Sequence, residues 1–190
     1  PSHFTQACVR RPCETRSMTM NGRWSKPTLV GELVTLRPID AGDVDVMWEM
    51  VNDPVGRDLT ATTSTFTFDQ IRAWCASRRD QDQRLDLAVI ENKSGDVVGE
   101  VVLNEFDPQT ESSNFRIALR GDQWFGRGFG TEATRLIVEH GLRVVGLRSI
   151  HLGVLQRNPR AVSTYEKVGF RRVKEEVNDG ETWIEMEITP

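Results

Sequence analysis

Hydrophobic and polar positions along the chain follow two different periods, and the changes of period predict its elements. Apolar residues at alternate positions predict strands at 32–39, 85–91, 96–106, 113–120 and 148–155. Helical spacing predicts helices at 44–51 (capped by Asp40), at 69–79, directly after 130, and at 159–168. Turn residues at 92–95 and 178–180 predict two hairpins.

The order of these elements predicts the fold class. Several strands joined by short turns precede a helix, and a second hairpin closes the chain. We therefore expect a mixed α/β (α+β) fold, in which a predominantly antiparallel sheet of about six or seven strands is flanked by helices. Residues 30–190 contain no internal repeat and predict a single domain.

The first 29 residues have a different composition from the rest of the chain. They carry Arg10, Arg11, Arg16, Arg23 and Lys26 against a single acidic residue, Glu14. No apolar segment of the kind found in a secretory signal follows the basic residues. We interpret 1–29 as a flexible basic leader. Met18 or Met20 would be a suitable natural start, so the sequence leaves open whether residues 1–17 are native.

Composition narrows the class of protein further. The 190 residues are 38% hydrophobic and 27% charged, with a formal net charge of −4, which is typical of one globular domain. No apolar run approaches the roughly 18–20 residues of a membrane span, and no basic stripe indicates nucleic-acid binding. Cys8, Cys13 and Cys75 lack metal-ligand spacing, so we expect no metal. From the whole composition we also expect no membrane partner and a cytoplasmic location.

Three glycines at alternate positions, Gly126, Gly128 and Gly130, lie between a predicted strand and a predicted helix. The first amides of a helix have no internal partner, and together with the helix dipole they favour an anion. Glycine lets phosphate oxygens approach such amides closely and permits positive φ angles. The segment therefore predicts a site for a phosphate or pyrophosphate group.

The spacing disfavours the two large nucleotide-binding classes. A dinucleotide fold requires Gly-x-Gly-x-x-Gly at the first turn of a βαβ unit, whereas here the spacing is Gly-x-Gly-x-Gly after strands that form a hairpin. A nucleoside-triphosphate loop requires Lys-Ser/Thr after its last glycine, and this chain has Thr131-Glu132.

Two segments resemble the GNAT superfamily of acetyl-CoA-dependent N-acetyltransferases. "QWFGRG" (123–128) is similar to the family's Gln/Arg-x-x-Gly-x-Gly/Ala loop, and "NPRAVSTYEKVGF" (158–170) is similar to its Asn-x-x-Ala/Ser-x-x-x-Tyr-x-x-x-Gly-Phe segment. With the opening "ELVTLRPID", the resemblance covers about 30–190 and is closest to the ribosomal-protein N-terminal acetyltransferase branch. It implies a sheet splayed between the fourth and fifth strands, at 113–120 and 148–155.

The resemblance also implies a coenzyme site. Pantetheine would bond to the splayed strand like an extra strand, and the glycine loop would hold the pyrophosphate. The residues assigned to acetyl-CoA in this way are Ile117, Ala118, Leu119, Gln123, Gly126, Arg127, Gly128, Phe129, Gly130, Thr131, Asn158 and Tyr165.

Tyr165, the only tyrosine, is the predicted general acid. A helical tyrosine is usually a packing residue, but a phenol of pKa about 10 can protonate a leaving thiolate of pKa about 8.5. Asn158 has two interpretations. Before Pro159 it is a sound helix cap, and the resemblance implies that it also bonds to the coenzyme.

The chain differs from the family it resembles at the position of the general base. Members of that branch often have a glutamate early in the fourth strand, and this sequence has Asn114 there. Glu100, Glu105 and Glu111 are weak candidate bases, Asp107 is a further nearby carboxylate, and Ser112 or Ser113 can position a water. Without such a base, an α-amine has the advantage over lysine, because at pH of about 7.4 roughly a third to a fifth of it is neutral, against about a thousandth.

We therefore expect direct transfer of an acetyl group from acetyl-CoA to a primary amine, either a protein N-terminus or a small molecule, in a ternary complex. Trp48, Phe66, Phe68 and Trp74 are candidates for the acceptor pocket, although aromatic residues at helical spacing are first of all core. Three alternatives remain: a catalytically silent acyl-CoA-binding or sensing domain, a transferase for another acyl group such as succinyl, and an unrelated binder of a phosphate ligand. Monomer and homodimer are both open.

Overall fold

A computed structural model describes residues 24–190 of the chain. Residues 1–23, most of the predicted leader, lie outside the described range. Trp24, inside that predicted leader, is buried against the ring of Phe106 with centroids 5.4 Å apart. The packed structure therefore extends N-terminal of residue 30. Within the described residues, no helix is both long and apolar enough to cross a membrane.

Eight strands within residues 24–190 form one sheet. They are β1 (Leu29–Val30), β2 (Val34–Pro38), β3 (Leu85–Glu91), β4 (Val97–Asp107), β5 (Ser112–Leu119), β6 (Ser149–Leu155), β7 (Arg171–Asn178) and β8 (Glu181–Ile188). Their order is β1-β2-β3-β4-β5-β6-β8-β7, and every neighbouring pair except β5–β6 is antiparallel. The predicted fold class is confirmed. The strand beyond the predicted number is β1, whose two residues are too few to produce an alternating pattern.

In the part of the chain that the structure describes, five α-helices accompany the sheet. They are α1 (Val44–Asn52), α2 (Pro54–Leu59), α3 (Phe68–Ser77), α4 (Phe129–His140) and α5 (Pro159–Val168). Asp40 accepts a hydrogen bond from Gly42 and forms a capping box with Asp43, but it caps a 3₁₀ turn (Ala41–Asp43) that leads into α1, whose own N-cap is Asp43. The helix α2 was not predicted, because its six residues make fewer than two helical turns and show no repeat of the apolar pattern. Its signals in the sequence are the Asp53 cap and Pro54 in the first turn.

The two faces of the sheet carry different helices. One core cluster joins strand residues such as Val101 and Leu103 to Ile137 of α4 and Val162 of α5. The other joins Ala88 to the apolar side chains of α1 and α3. Side chains alternate along a strand, so Glu100 and Val102 of β4 point to the α1–α3 face.

The parallel pair β5–β6 separates after a short contact. Only Ser112, Ser113 and Asn114 of β5 have register partners on β6, at 149–151. Beyond Asn114, β5 continues to Leu119 with β4 alone as its partner. This divergence is the splay predicted between the fourth and fifth strands, and it leaves one edge of β5 open.

The side chain of Glu132 connects the first turn of α4 to the backbone at the β1–β2 turn. Its carboxylate accepts backbone hydrogen bonds from Glu32 at 3.0 Å and from Leu33 and Val34 at 2.7 Å each. A Cβ at Gly31 would lie 2.7 Å from the same carboxylate, which explains the glycine there. The position of the α4 N-terminus over the sheet therefore depends on this side chain.

Replacement of Glu132 by glutamine should lower the free energy of unfolding by about 1–2 kcal/mol, because a neutral amide oxygen is a weaker acceptor for three amides. Glu139 lies on the same helix and is exposed, so Glu139→Gln is the matched control and should change it little. Urea unfolding of both variants checks this. Equal stability of the two variants would show that the three bonds do not anchor α4.

Candidate active site

A cleft of about 1230 Å³ runs along the open edge of β5. It is bounded by β5, by the start of α4, by α5 and by the α1–α3 side of the sheet. From the predicted coenzyme residues, the structure places in its wall Ile117, Ala118, Leu119, Gly126, Gly128, Phe129, Gly130, Thr131, Asn158 and Tyr165. Residues distant in the sequence are thus brought to one continuous surface.

The glycine loop has the backbone that its sequence suggested. Gly126 and Gly128 have φ angles of 72° and 86°, and Gly128 is the N-cap of α4 without a side-chain cap. The first backbone bond of the helix runs from the amide of Glu132 to the carbonyl of Gly128, at 3.0 Å. The amides of Phe129, Gly130 and Thr131 precede that bond and are suited to an anion.

Two predicted coenzyme residues of the loop do not line the cleft. Gln123 is exposed and lies outside its wall. The Arg127 guanidinium donates a hydrogen bond to Glu91 at 2.7 Å, and it stacks over the rings of Trp124 and Phe129 at 5.0 and 4.7 Å. The side chain of Arg127 therefore fastens the loop to the end of β3 instead of reaching into the cleft.

The first turn of α5 forms the opposite wall. Asn158 Oδ1 accepts a hydrogen bond from the amide of Ala161 at 3.2 Å, which makes Asn158 the predicted cap and leaves its Nδ2 as a donor. Sequence reasoning missed two cations of α5 that line the cleft, Arg160 in its first turn and Lys167 in its last turn. Arg160 lies 3.6 Å from the ring centre of Phe125. These charges suit a ligand that carries phosphates.

Tyr165 lies two turns further along α5 and also lines the cleft. Its ring packs edge-on against Phe115 and Phe170, each with centroids 5.9 Å away. Burial raises the pKa of the Tyr165 hydroxyl above its ordinary value, so the group is protonated at neutral pH. The same desolvation would raise the pKa of a thiol beside it, because both groups are neutral when protonated.

The candidate bases lie in different surroundings. Glu105 is exposed, and Glu111 accepts a hydrogen bond from Arg148 at 2.6 Å, so neither faces the cleft. Ser113 is fully buried and donates its hydroxyl to the carbonyl of Asn104 at 2.7 Å. Asn114 does line the cleft, and its amide group donates to the Asn104 side chain at 2.9 Å.

Glu100 differs from the other candidate glutamates because it lines the cleft. Its Oε2 is buried and has no hydrogen-bond partner among residues 24–190. Burial raises the pKa of this carboxyl group, and the charge of Arg116 opposes that rise. Three charged residues that sequence reasoning missed line the same part of the cleft: Arg84, Asp86 and Arg116.

A family model described as acetyltransferase (GNAT) domain matches residues 34–171. The chain belongs to the GNAT acetyltransferase family. It is an acyl-CoA-dependent N-acyltransferase, and its co-substrate is acetyl-CoA. The open edge of β5, the free amides of α4 and the basic wall of α5 fit that coenzyme. No cluster of His, Cys, Asp or Glu suited to a metal ion occurs within 24–190.

Individual relatives are distant in sequence. The uncharacterised N-acetyltransferase p20 of Bacillus licheniformis is 23% identical over 148 residues, which cover 76% of this chain and 83% of p20. The spermidine N-acetyltransferase of Vibrio cholerae, solved with CoA and spermine, has a TM-score of 0.76 at 21% identity and covers 84% of this chain and 96% of its own. A structure provisionally described as a ribosomal-protein-serine acetyltransferase, also from V. cholerae, gives 0.70 at 17%, with 86% and 97% covered.

Replacement of Thr131 by aspartate tests the anion site without a strained backbone. An acidic side chain in the first turn favours the helix, so thermal stability should be kept or raised. The same charge should repel a pyrophosphate and weaken acetyl-CoA binding tenfold or more, measured by calorimetry. Thr131→Asn, which has the same shape without the charge, is the control. Equal affinity of the two variants would place the pyrophosphate elsewhere.

Proposed function

We propose that the chain transfers an acetyl group from acetyl-CoA directly to a primary amine, in a ternary complex and without a covalent enzyme intermediate. The observation that carries this proposal is the single cleft that joins three features. These are the free amides at the start of α4, the open edge of β5 and the buried hydroxyl of Tyr165. Membership of the family supports the donor.

The coenzyme would lie along the length of this cleft. Its pyrophosphate would accept hydrogen bonds from the loop amides, and Arg160 and Lys167 would compensate its negative charge. Pantetheine would bond to β5 at Ile117–Leu119, beyond the last residue that pairs with β6. The thioester would then lie where β5 and β6 separate, near Phe115 and Tyr165.

The reaction follows from these positions. The neutral amine attacks the thioester carbonyl, and a new C–N bond forms while the carbonyl oxygen becomes negative. Amides of β5 stabilise that oxygen. When the C–S bond breaks, Tyr165 gives its proton to the sulfur and regains the proton that the nitrogen loses. The products are an amide and free coenzyme A.

The acceptor would enter from the α1–α3 side, where Phe66 and Trp74 line the cleft. Trp48 and Phe68, also proposed for this pocket, pack edge to face with centroids 5.7 Å apart and do not line it. A protein N-terminus and a small-molecule amine both remain candidate acceptors. Thiol release from acetyl-CoA, measured over a panel of peptides and small amines, tests the function, and no release with any amine would contradict it.

Tyr165→Phe should lower kcat about 10²-fold or more, because it removes the proton that sulfur receives. It keeps the ring and its contacts with Phe115 and Phe170, so thermal stability and acetyl-CoA affinity should change little. Phe170→Leu is the packing control, and it should lower stability with a much smaller effect on kcat. Wild-type turnover in Tyr165→Phe would mean that Tyr165 is a packing residue and that water protonates the thiolate.

A further inference from the structure

Glu100 is a carboxyl group in the cleft whose Oε2 has no hydrogen-bond partner in the described chain. The other buried carboxylates are held by cations. Asp86 accepts hydrogen bonds from Arg84 at 2.8 and 2.6 Å, and Glu91 accepts one from Arg127 at 2.7 Å. In contrast, Oε2 of Glu100 is buried and accepts no hydrogen bond from residues 24–190. A buried, unpaired charge is costly, so this arrangement needs a reason.

The position of Glu100 on the sheet gives a reason for its unpaired oxygen. Its register partner on β5 is Ala118, one of the residues proposed to flank pantetheine, and its side chain points to the face from which the acceptor would enter. Arg116 is the diagonal neighbour on β5. The two charges interact, but Arg116 donates no hydrogen bond to Oε2 of Glu100. A ligand group can therefore bind to Glu100 without displacing an arginine.

We propose that Glu100 takes the proton of the acceptor's ammonium group through bridging water, the task that Asn114 cannot perform. This inference rests on the proposed function. Glu100 is opposite Ala118, three residues or roughly 10 Å along the strand from Phe115, where the thioester would lie, so water joins the two. The ammonium N–H bond breaks, its proton moves to this water, and the water gives a proton to the Glu100 carboxylate. The freed electron pair of the nitrogen then attacks the thioester, and Glu100 releases the proton to solvent after the acetylated product leaves.

The charges around Glu100 also restrict the acceptor. On this side of the cleft, three arginines (Arg57, Arg84 and Arg116) accompany two acidic residues (Asp86 and Glu100). Asp86 is already paired with Arg84, so Glu100 is the acidic group left to receive a cation. A second or third ammonium group would be repelled by Arg116 and Arg57. The acceptor is therefore an amine with one positive charge, such as a peptide N-terminus, in preference to a polyamine.

Glu100→Gln separates a functional carboxylate from a structural one. With an alanyl-alanine amide as acceptor, kcat/KM should fall 10²-fold or more while acetyl-CoA affinity is unchanged. Thermal stability at pH 7 should be kept or raised. Because burial raises the folded-state pKa of Glu100, its stabilising contribution is present below the unfolded-state pKa and is lost as pH rises through the folded-state pKa. Glutamine does not ionise, so the Glu100→Gln variant does not lose stability as pH rises through this range.

The pH profile gives a second readout. In the wild type, kcat/KM should fall as pH decreases through the pKa of Glu100, which lies above the usual 4.5. In Glu100→Gln it should instead follow the pKa of the substrate amine. The charged and titratable groups that act on Glu100 come from β5, from β3 and the residue before it, and from the end of α3; they are Arg116, Asp86, Arg84, Arg78 and Cys75.

Glu105→Gln is the matched control, since Glu105 is exposed and does not line the cleft. It should keep wild-type kinetics. Wild-type kcat/KM in Glu100→Gln, or a loss of stability with an unchanged pH profile, would overturn the role of Glu100 while leaving the transferase function intact. A kcat/KM for spermidine above that for the dipeptide amide would overturn the restriction on charge. Thiol release with no amine of a wider panel would instead contradict the proposed function itself.

Discussion

The early end of the β5–β6 pairing is the constraint on which the rest of the site depends. Three register pairs hold the two strands together, and then β5 continues without them. An open strand edge in the middle of a sheet leaves backbone groups without partners, which is unfavourable unless a ligand or water binds to them. The helices that follow each of these strands, α4 and α5, then place their first turns on either side of the opening.

The elements of this arrangement differ in how far the sequence could predict them. The glycine loop and the Asn158 cap were predictable because their signals are local: positive φ at Gly126 and Gly128, and a cap followed by proline. The splay came from a family resemblance, since no residue in β5 or β6 marks the point where their pairing ends. The short elements α2 and β1 were not predicted because each covers fewer than two periods of its pattern, so the pattern never repeats within it.

The acceptor side was harder to predict for a different reason. Asp86, Glu100 and Arg116 lie on three different strands, and only the strand register brings them to one face. In the sequence, Glu100 was one of several similar glutamates near Asn114. The structure distinguishes them, because Glu111 is bonded to Arg148 and Glu105 points into solvent, whereas Glu100 lines the cleft. Burial and register cannot be read from spacing alone.

The fastening of Arg127 has a consequence for how the coenzyme exchanges. Its ion pair with Glu91 and its stacking on Trp124 and Phe129 connect the loop to the end of β3 through contacts made by the protein alone. These contacts hold the loop in one shape without any ligand, so we expect that ordering it costs little conformational entropy when the proposed coenzyme binds. Product coenzyme would then depart, and a fresh molecule would enter, without refolding of this segment.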